Sequence, residues 1–352
     1  MRKTVNYLVI ALMAVLTLAG CSRKGKKSLL SPTSSGRAYE ILVVVQQGVW
    51  ERPAGRALFD VLCTDVPGLP QSERSFRIMF TDPSTYDSTL KLVRNIIIVE
   101  INPQLYTQPK FRVAQDVYAY PQSILTIQSP DEAQLQEFVT EKAQAIIDFF
   151  THAEMNRQIR ALEVKHNDYV QTKVNSMFDC DVWVPGDLYS TKQGVDFFWA
   201  GTNTATADRN FVIYSFPYTD KDTFTKEYFV HKRDSVMKVN IPGAREGMYM
   251  ATDSLMTDVK PISVQGEYAL EARGLWRIKG DFMGGPFVSH MRLDQSNQRI
   301  IVSEVFVYSP DKLKRDLIRG MEASLYTVKL PSSRLVEVNM PDVIIGVDSI
   351  AN

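Results

Sequence analysis

The chain has 352 residues, 45% of them apolar, 10% aromatic and 23% charged, enough for about two globular domains of ordinary composition. That mixture excludes a disordered chain, a collagen and a small disulfide scaffold. Forty basic against 40 acidic residues leave no net field for a polyanion, which argues against nucleic acid as a partner.

The first residues carry the clearest message. Arg2 and Lys3 precede an unbroken apolar run from Leu8 to Leu16, and Leu18-Ala19-Gly20 puts small residues before Cys21. This predicts a secretory signal peptide over residues 1–20, since the apolar run is far shorter than the roughly 20 residues that span a bilayer. Leu-Ala-Gly-Cys also resembles the bacterial lipobox, which implies lipidation at Cys21, and acyl chains contribute about 0.8 kcal/mol per buried methylene to anchoring. Residues 21–37 then read as a basic and serine-rich spacer. Arg23, Lys24, Lys26 and Lys27 favour anionic head groups. In lipoproteins of the Bacteroidetes type, acidic residues after the cysteine accompany surface export. None occurs here, so the expected location is the outer membrane with the body facing the periplasm. Six cations and no acid in residues 1–27 leave 34 basic against 40 acidic residues beyond them, a mildly acidic body.

The expected fold class is α+β, with a mixed α/β domain over 38–174 followed by an antiparallel sheet domain with two helices over 175–330. In the first half, Tyr39 to Gln46 is a β-branched run expected as a strand buried on both faces. A helix is predicted from Pro53 to Cys63, a strand from Ser75 to Phe80, a helix from Asp82-Pro83 to Arg94 and a strand from Asn95 to Ile101. Strands follow at Arg112–Tyr120 and Gln122–Gln128. A capping serine at Ser129, with Pro130 and Glu132, opens a helix that continues weakly to about Val174. Strands are expected in the second half at Val195–Ala200, Asn210–Tyr218, Gly247–Thr252, Tyr268–Lys279, Pro286–Asp294 and Arg299–Tyr308, with helices over Asp222–Met237 and Ser309–Tyr326. Residues 331–352 form a tail. Cys63 and Cys180 are expected as two buried thiols, with a disulfide as the alternative.

Catalytic and metal motifs are missing from the sequence: no P-loop, Gly-x-Gly-x-x-Gly, Gly-x-Ser-x-Gly, His-Glu-x-x-His or paired Cys-x-x-Cys occurs, so no cofactor is indicated. Period-two alternation gathers Glu271, Arg273, Arg277, His290 and Arg292 on one face of a hairpin. Such a mainly cationic group with an imidazole suits a carboxylate or phosphate ligand; equally, it is what a solvated sheet face looks like. The connecting glycine-rich loop offers Phe282 and Met283 either as a ligand lid or as ordinary packing. Glu304 lies in a strand apolar on both faces and calls for an arginine partner, or else acts as an acid. Residues 183–229 hold twelve aromatics, with Tyr214, Phe216 and Tyr218 on one face, as a core or as a stacking platform.

The stretch Glu271-Ala272-Arg273-Gly274-Leu275-Trp276, then Gly280-Asp281-Phe282-Met283-Gly284-Gly285-Pro286-Phe287, and later Pro310 with Lys314-Arg315, resembles an uncharacterised lipoprotein family of Bacteroidetes known as a domain of unknown function, over about residues 38–330. The resemblance implies an envelope setting and no activity. The functional expectation is a lipid-anchored binding or structural module whose partner is an envelope protein or glycan. The alternative is an envelope hydrolase acting on glycan, lipid or peptide, using His290, Glu271 or Glu304.

Overall fold

The computed structural model describes residues 31–331, so the leader, Cys21 and nearly all of the tail lie outside the described residues. The fold is α+β, built on two sheets. The first has strand order β2-β1-β3-β5-β4, from β1 (Glu40–Val44), β2 (Arg77–Thr81), β3 (Asn95–Ile101), β4 (Lys110–Gln115) and β5 (Ser123–Ser129). β1, β2, β3 and β5 are parallel, whereas β4 returns antiparallel along β5. Ile41, Leu42, Val43 and Val44 of β1 are all buried, as an apolar run without alternation requires. Helices α1 (Gln47–Trp50), α2 (Pro53–Leu62), α3 (Glu132–Glu141) and α4 (Ala143–Val164) cover one face. Irregular segments around Tyr86 and Leu90 cover the other.

Two expected helices are corrected. Asp82 and Pro83 do start a helical turn, with Asp82 accepting from the Ser84 amide, but it ends at Thr85. Asp87 then accepts from the amides of Thr89 and Leu90 and begins a second short turn, so competing caps replace one helix. The long helix likewise starts at Asp131, which caps Gln134 N at 2.8 Å, and not at Ser129. It breaks at Lys142 and again after Val164, where Asn167 caps α5 (Asp168–Phe178).

The second sheet is antiparallel throughout, in the order β6-β7-β8-β12-β11-β10-β9. Its strands are β6 (Ser190–Gly194), β7 (Phe197–Gly201), β8 (Asp208–Pro217), β9 (Tyr249–Val264), β10 (Glu267–Lys279), β11 (Gly284–Asp294) and β12 (Arg299–Tyr308). Helix α6 (Lys226–Asn240) packs Phe229 and Met237 on one face, against Tyr214, Phe287 and Val302. Helix α7 (Arg315–Tyr326) lies on the other with α5, packing Ile318, Met321 and Leu325 against Val288, Ile301 and Val305. Tyr214 and Phe216 are therefore core, with Tyr218 half-buried. Val328 and Leu330, just before the expected tail, are buried in the same core. Both cysteines are thiols, but only Cys180, below the second sheet, is buried as expected; Cys63, at the end of α2, is half-buried. Among the described residues no helix is long and apolar enough to cross a membrane.

Helix α7 also joins the sheets. Its first amides, Lys314 N and Arg315 N, donate to the buried Glu73 carboxylate at 2.7 and 2.9 Å, while Arg319 donates to Ser75 O at 3.0 Å. The Arg319 guanidinium lies 4.5 Å from the centre of the Tyr39 ring. Ala323 packs with Met155, Ile159 and Leu162 of α4. Because Glu73 supplies a cap from outside the helix, Glu73→Ala should lower stability by about 1–2 kcal/mol in urea titration, with Glu73→Gln costing less.

Candidate functional site

Of the residues singled out from the sequence, Glu271, Arg273 and His290 come together, because Glu271 pairs with His290 across β10 and β11 and Arg273 follows two positions on. Arg273 Nε lies 3.5 Å from Glu271 Oε1, Lys260 Nζ 3.4 Å from the same oxygen, and His290 Nε2 3.8 Å from Oε2. The last distance is ion-pair range and beyond a hydrogen bond. Neither His290 nitrogen has a hydrogen-bond partner among the described residues, and its ring meets Tyr326 edge-on at 4.8 Å. From α7, Glu322 takes both Arg273 terminal nitrogens in a bidentate pair. Arg292 lies further along the face, donating to Glu267 at 2.7 Å and to Val328 O at 2.7 Å. Arg277 is exposed at the hairpin end and joins neither group.

This face is not the solvated surface that its charges suggested. Glu271 is 3% and His290 0% accessible, because α7 lies over them and brings Glu322 and Tyr326. Burial pushes the Glu271 carboxyl up, but Arg273, then His290 and Lys260, outweigh it and hold the group well below the usual carboxylate range. A carboxylate depressed on folding contributes stability above its ordinary value of about 4.3 and loses it as pH falls from there toward the lower folded value. Glu271→Gln should therefore flatten the acid side of the stability profile below about pH 4.3, read by thermal melts at stepped pH.

Glu304 lies on the opposite face. Arg233 of α6 donates to it through Nε at 2.8 Å and Nη2 at 2.7 Å, Ser289 Oγ donates at 2.5 Å, and Arg233 Nη1 reaches Thr252. Both partners are inaccessible to solvent. This is the arginine pairing that the apolar strand required. Arg233→Met should cost about 3–5 kcal/mol, because it strands a buried carboxylate, and the double variant Arg233→Met with Glu304→Leu should recover much of that loss in denaturant titration.

Beyond the end of α6, the same face opens into a groove of 360 Å³. Trp199 of β7, Trp276 of β10 and Phe306 and Tyr308 of β12 line it, with Lys192, Asn203, Asp208 and Asn210 as polar neighbours and residues 240–244 along one side. Trp276 meets Phe306 edge-on at 5.5 Å and Tyr308 at 6.3 Å. Its indole crosses β11 at Gly285 and donates to Val307 O at 3.2 Å; a Cβ at Gly285 would fall 2.0 Å from that oxygen. Met283 of the predicted loop borders the groove, whereas Phe282 projects fully into solvent beside it. A larger recess of 680 Å³ between α6 and β9 is edged by Lys226, Glu227, Asp234 and Lys238, and Asp234 is already engaged by Thr252. The aromatic groove is the better candidate because it combines two partly exposed rings, Trp199 and Tyr308, with the buried Trp276 and Phe306 and with several polar side chains.

Residues 167–327 match the family model described as Domain of unknown function (DUF4837), and residues 34–163 match the one described as Domain of unknown function (DUF8532). The two matches adjoin one another, where the sequence resemblance ran as a single stretch. No match is found among curated proteins.

Proposed function

We propose that this protein is a lipid-anchored, periplasm-facing module of a bacterial outer membrane that binds an envelope component in the aromatic groove. The leader ending at Cys21, with its basic collar, supports the anchor. One contrast carries the choice of binding over hydrolysis by the groups named for it: His290, Glu271 and Glu304 are buried beneath helices, whereas the groove opens elsewhere and is lined by Trp199 and Tyr308 with Asn203, Asp208 and Lys192 beside them. A hydrolase needs an acid or base within about 3 Å of its substrate or a bridging water.

Two measurements test the reading. Cys21→Ser should move the protein from membranes to the soluble periplasmic fraction; retention on the membrane would remove the lipid anchor. A photo-crosslinking amino acid at Met283 in the lipidated full chain should trap an adduct in cells, while the same probe at the exposed Gln136 of α3 should not. Equal labelling at both positions, or none at Met283, would count against the groove as the binding site.

A further inference from the structure

Building on the groove as the binding site, we propose that its ligand is a neutral saccharide, with one pyranose ring stacked on Trp199 and its hydroxyls bonded to the rim formed by Asp208, Asn203 and Lys192. Trp199 is held in place before any ligand arrives. Its Nε1 donates to Asn210 Oδ1 at 2.8 Å, Asn210 Nδ2 donates to Asp208 Oδ2 at 3.0 Å, and Asp208 Oδ1 accepts from Thr202 Oγ1 at 2.9 Å and Thr204 N at 3.2 Å. Gly201 makes room for the indole, since a Cβ there would fall 2.6 Å from Trp199 Cζ2. A fixed ring and a fixed carboxylate cost little further ordering on binding.

The chemistry at the rim selects the ligand class. An ionised carboxylate has about four acceptor sites, so Asp208 retains capacity for ligand hydroxyls. Lys192 Nζ donates to Asn240 O at 2.6 Å and keeps further protons to give. A pyranose ring matches this pairing because it has an apolar C–H face and a hydroxyl edge. An anionic ligand fits poorly, since Lys192 stands against both Asp208 and Asp281 in the lining. An extended peptide that adds as a strand requires an open sheet edge. Here β7, β8, β12 and β10 are all interior strands with neighbours on both sides. The 360 Å³ volume lies within the roughly 300–1,000 Å³ of small-molecule sites.

The test is tryptophan fluorescence of the full-length lipidated protein in detergent, titrated with cellotriose, chitotriose and mannotriose, and with trigalacturonic acid and tetra-alanine as anionic and peptide probes. At least one neutral trisaccharide should give a saturable change. Trp199→Ala should weaken that Kd at least tenfold. Met283→Arg, which places a long charged side chain at an exposed position on the groove's margin, should do the same. No saturable change with any of the three neutral sugars, or a response to the acid or the peptide alone, overturns the saccharide. If Met283 crosslinks still form in that case, the groove stands as a binding site for another ligand; if they do not, the binding reading falls with it.

Discussion

Two buried arginine–carboxylate pairs, one on each face of the seven-stranded sheet, govern where its helices sit. Arg233 of α6 meets Glu304 of β12 on one face, and Glu322 of α7 meets Arg273 of β10 on the other. A buried pair contributes little net stability compared with apolar packing, yet stranding one partner costs about 3–5 kcal/mol. A helix that slid by one turn, about 5.4 Å, would strand both charges of its pair. The apolar contacts of α6 and α7 are permissive by comparison, so the charged pairs select one register among several that would bury similar area. Fixing α7 has a wider effect, because the same helix presents its first amides to Glu73 and Arg319 to Ser75 and Tyr39. The attachment of the parallel sheet to the antiparallel one therefore rests on the Arg273 pair as well.

The same arrangement separates charge from access. Helix α6 has 15 residues, about 22 Å at 1.5 Å per residue, whereas the 13 residues of β10 extend about 43 Å at 3.3 Å each. One helix covers roughly half the length of the face below it. Its covered half contains Arg233, Glu304, Ser289 and Thr252; beyond Asn240 the rings of Trp199, Trp276 and Tyr308 line the groove instead. On the α7 face, the charged row that looked most like a ligand site is used up in holding the helix. Charged side chains beneath the helices of this domain position structure, and contact is left to the groove, where Trp199 and Tyr308 are partly exposed.

Legibility from sequence followed local physics. Asn95–Ile101 and Arg299–Tyr308 were readable to the residue, because continuous apolar runs between turn residues identify themselves. β6, with the polar sequence Ser-Thr-Lys-Gln-Gly, was not, and neither was the second half of β9, which contains Asp258, Lys260 and Pro261. Both are edge strands, where charge and proline are tolerated and the apolar signal fades. For the site, alternation correctly put Glu271, Arg273 and His290 on one face but carried no information about what lies over it. Glu322, 49 residues from Arg273, decides that. The groove was visible only in Met283 with its glycine loop and in the aromatic density of residues 183–229, which includes Trp199; Trp199 and Tyr308 come to one groove through the pairing of β8 with β12, two strands separated in the chain by a helix and three further strands.

The stretch from Glu271 to Trp276 combines both functions. In Glu271-Ala272-Arg273-Gly274-Leu275-Trp276, alternate side chains face opposite ways: Glu271 and Arg273 lie under α7, whereas Ala272 and Trp276 face α6 and the groove. Across the hairpin, Gly285 stands opposite Trp276, and its lack of a side chain is what lets the indole cross to Val307. One strand pair therefore fixes a helix with one face and floors the groove with the other. A substitution at Arg273 and one at Trp276, three positions apart, should differ in kind, the first acting on the register of α7 and the second on the shape of the groove.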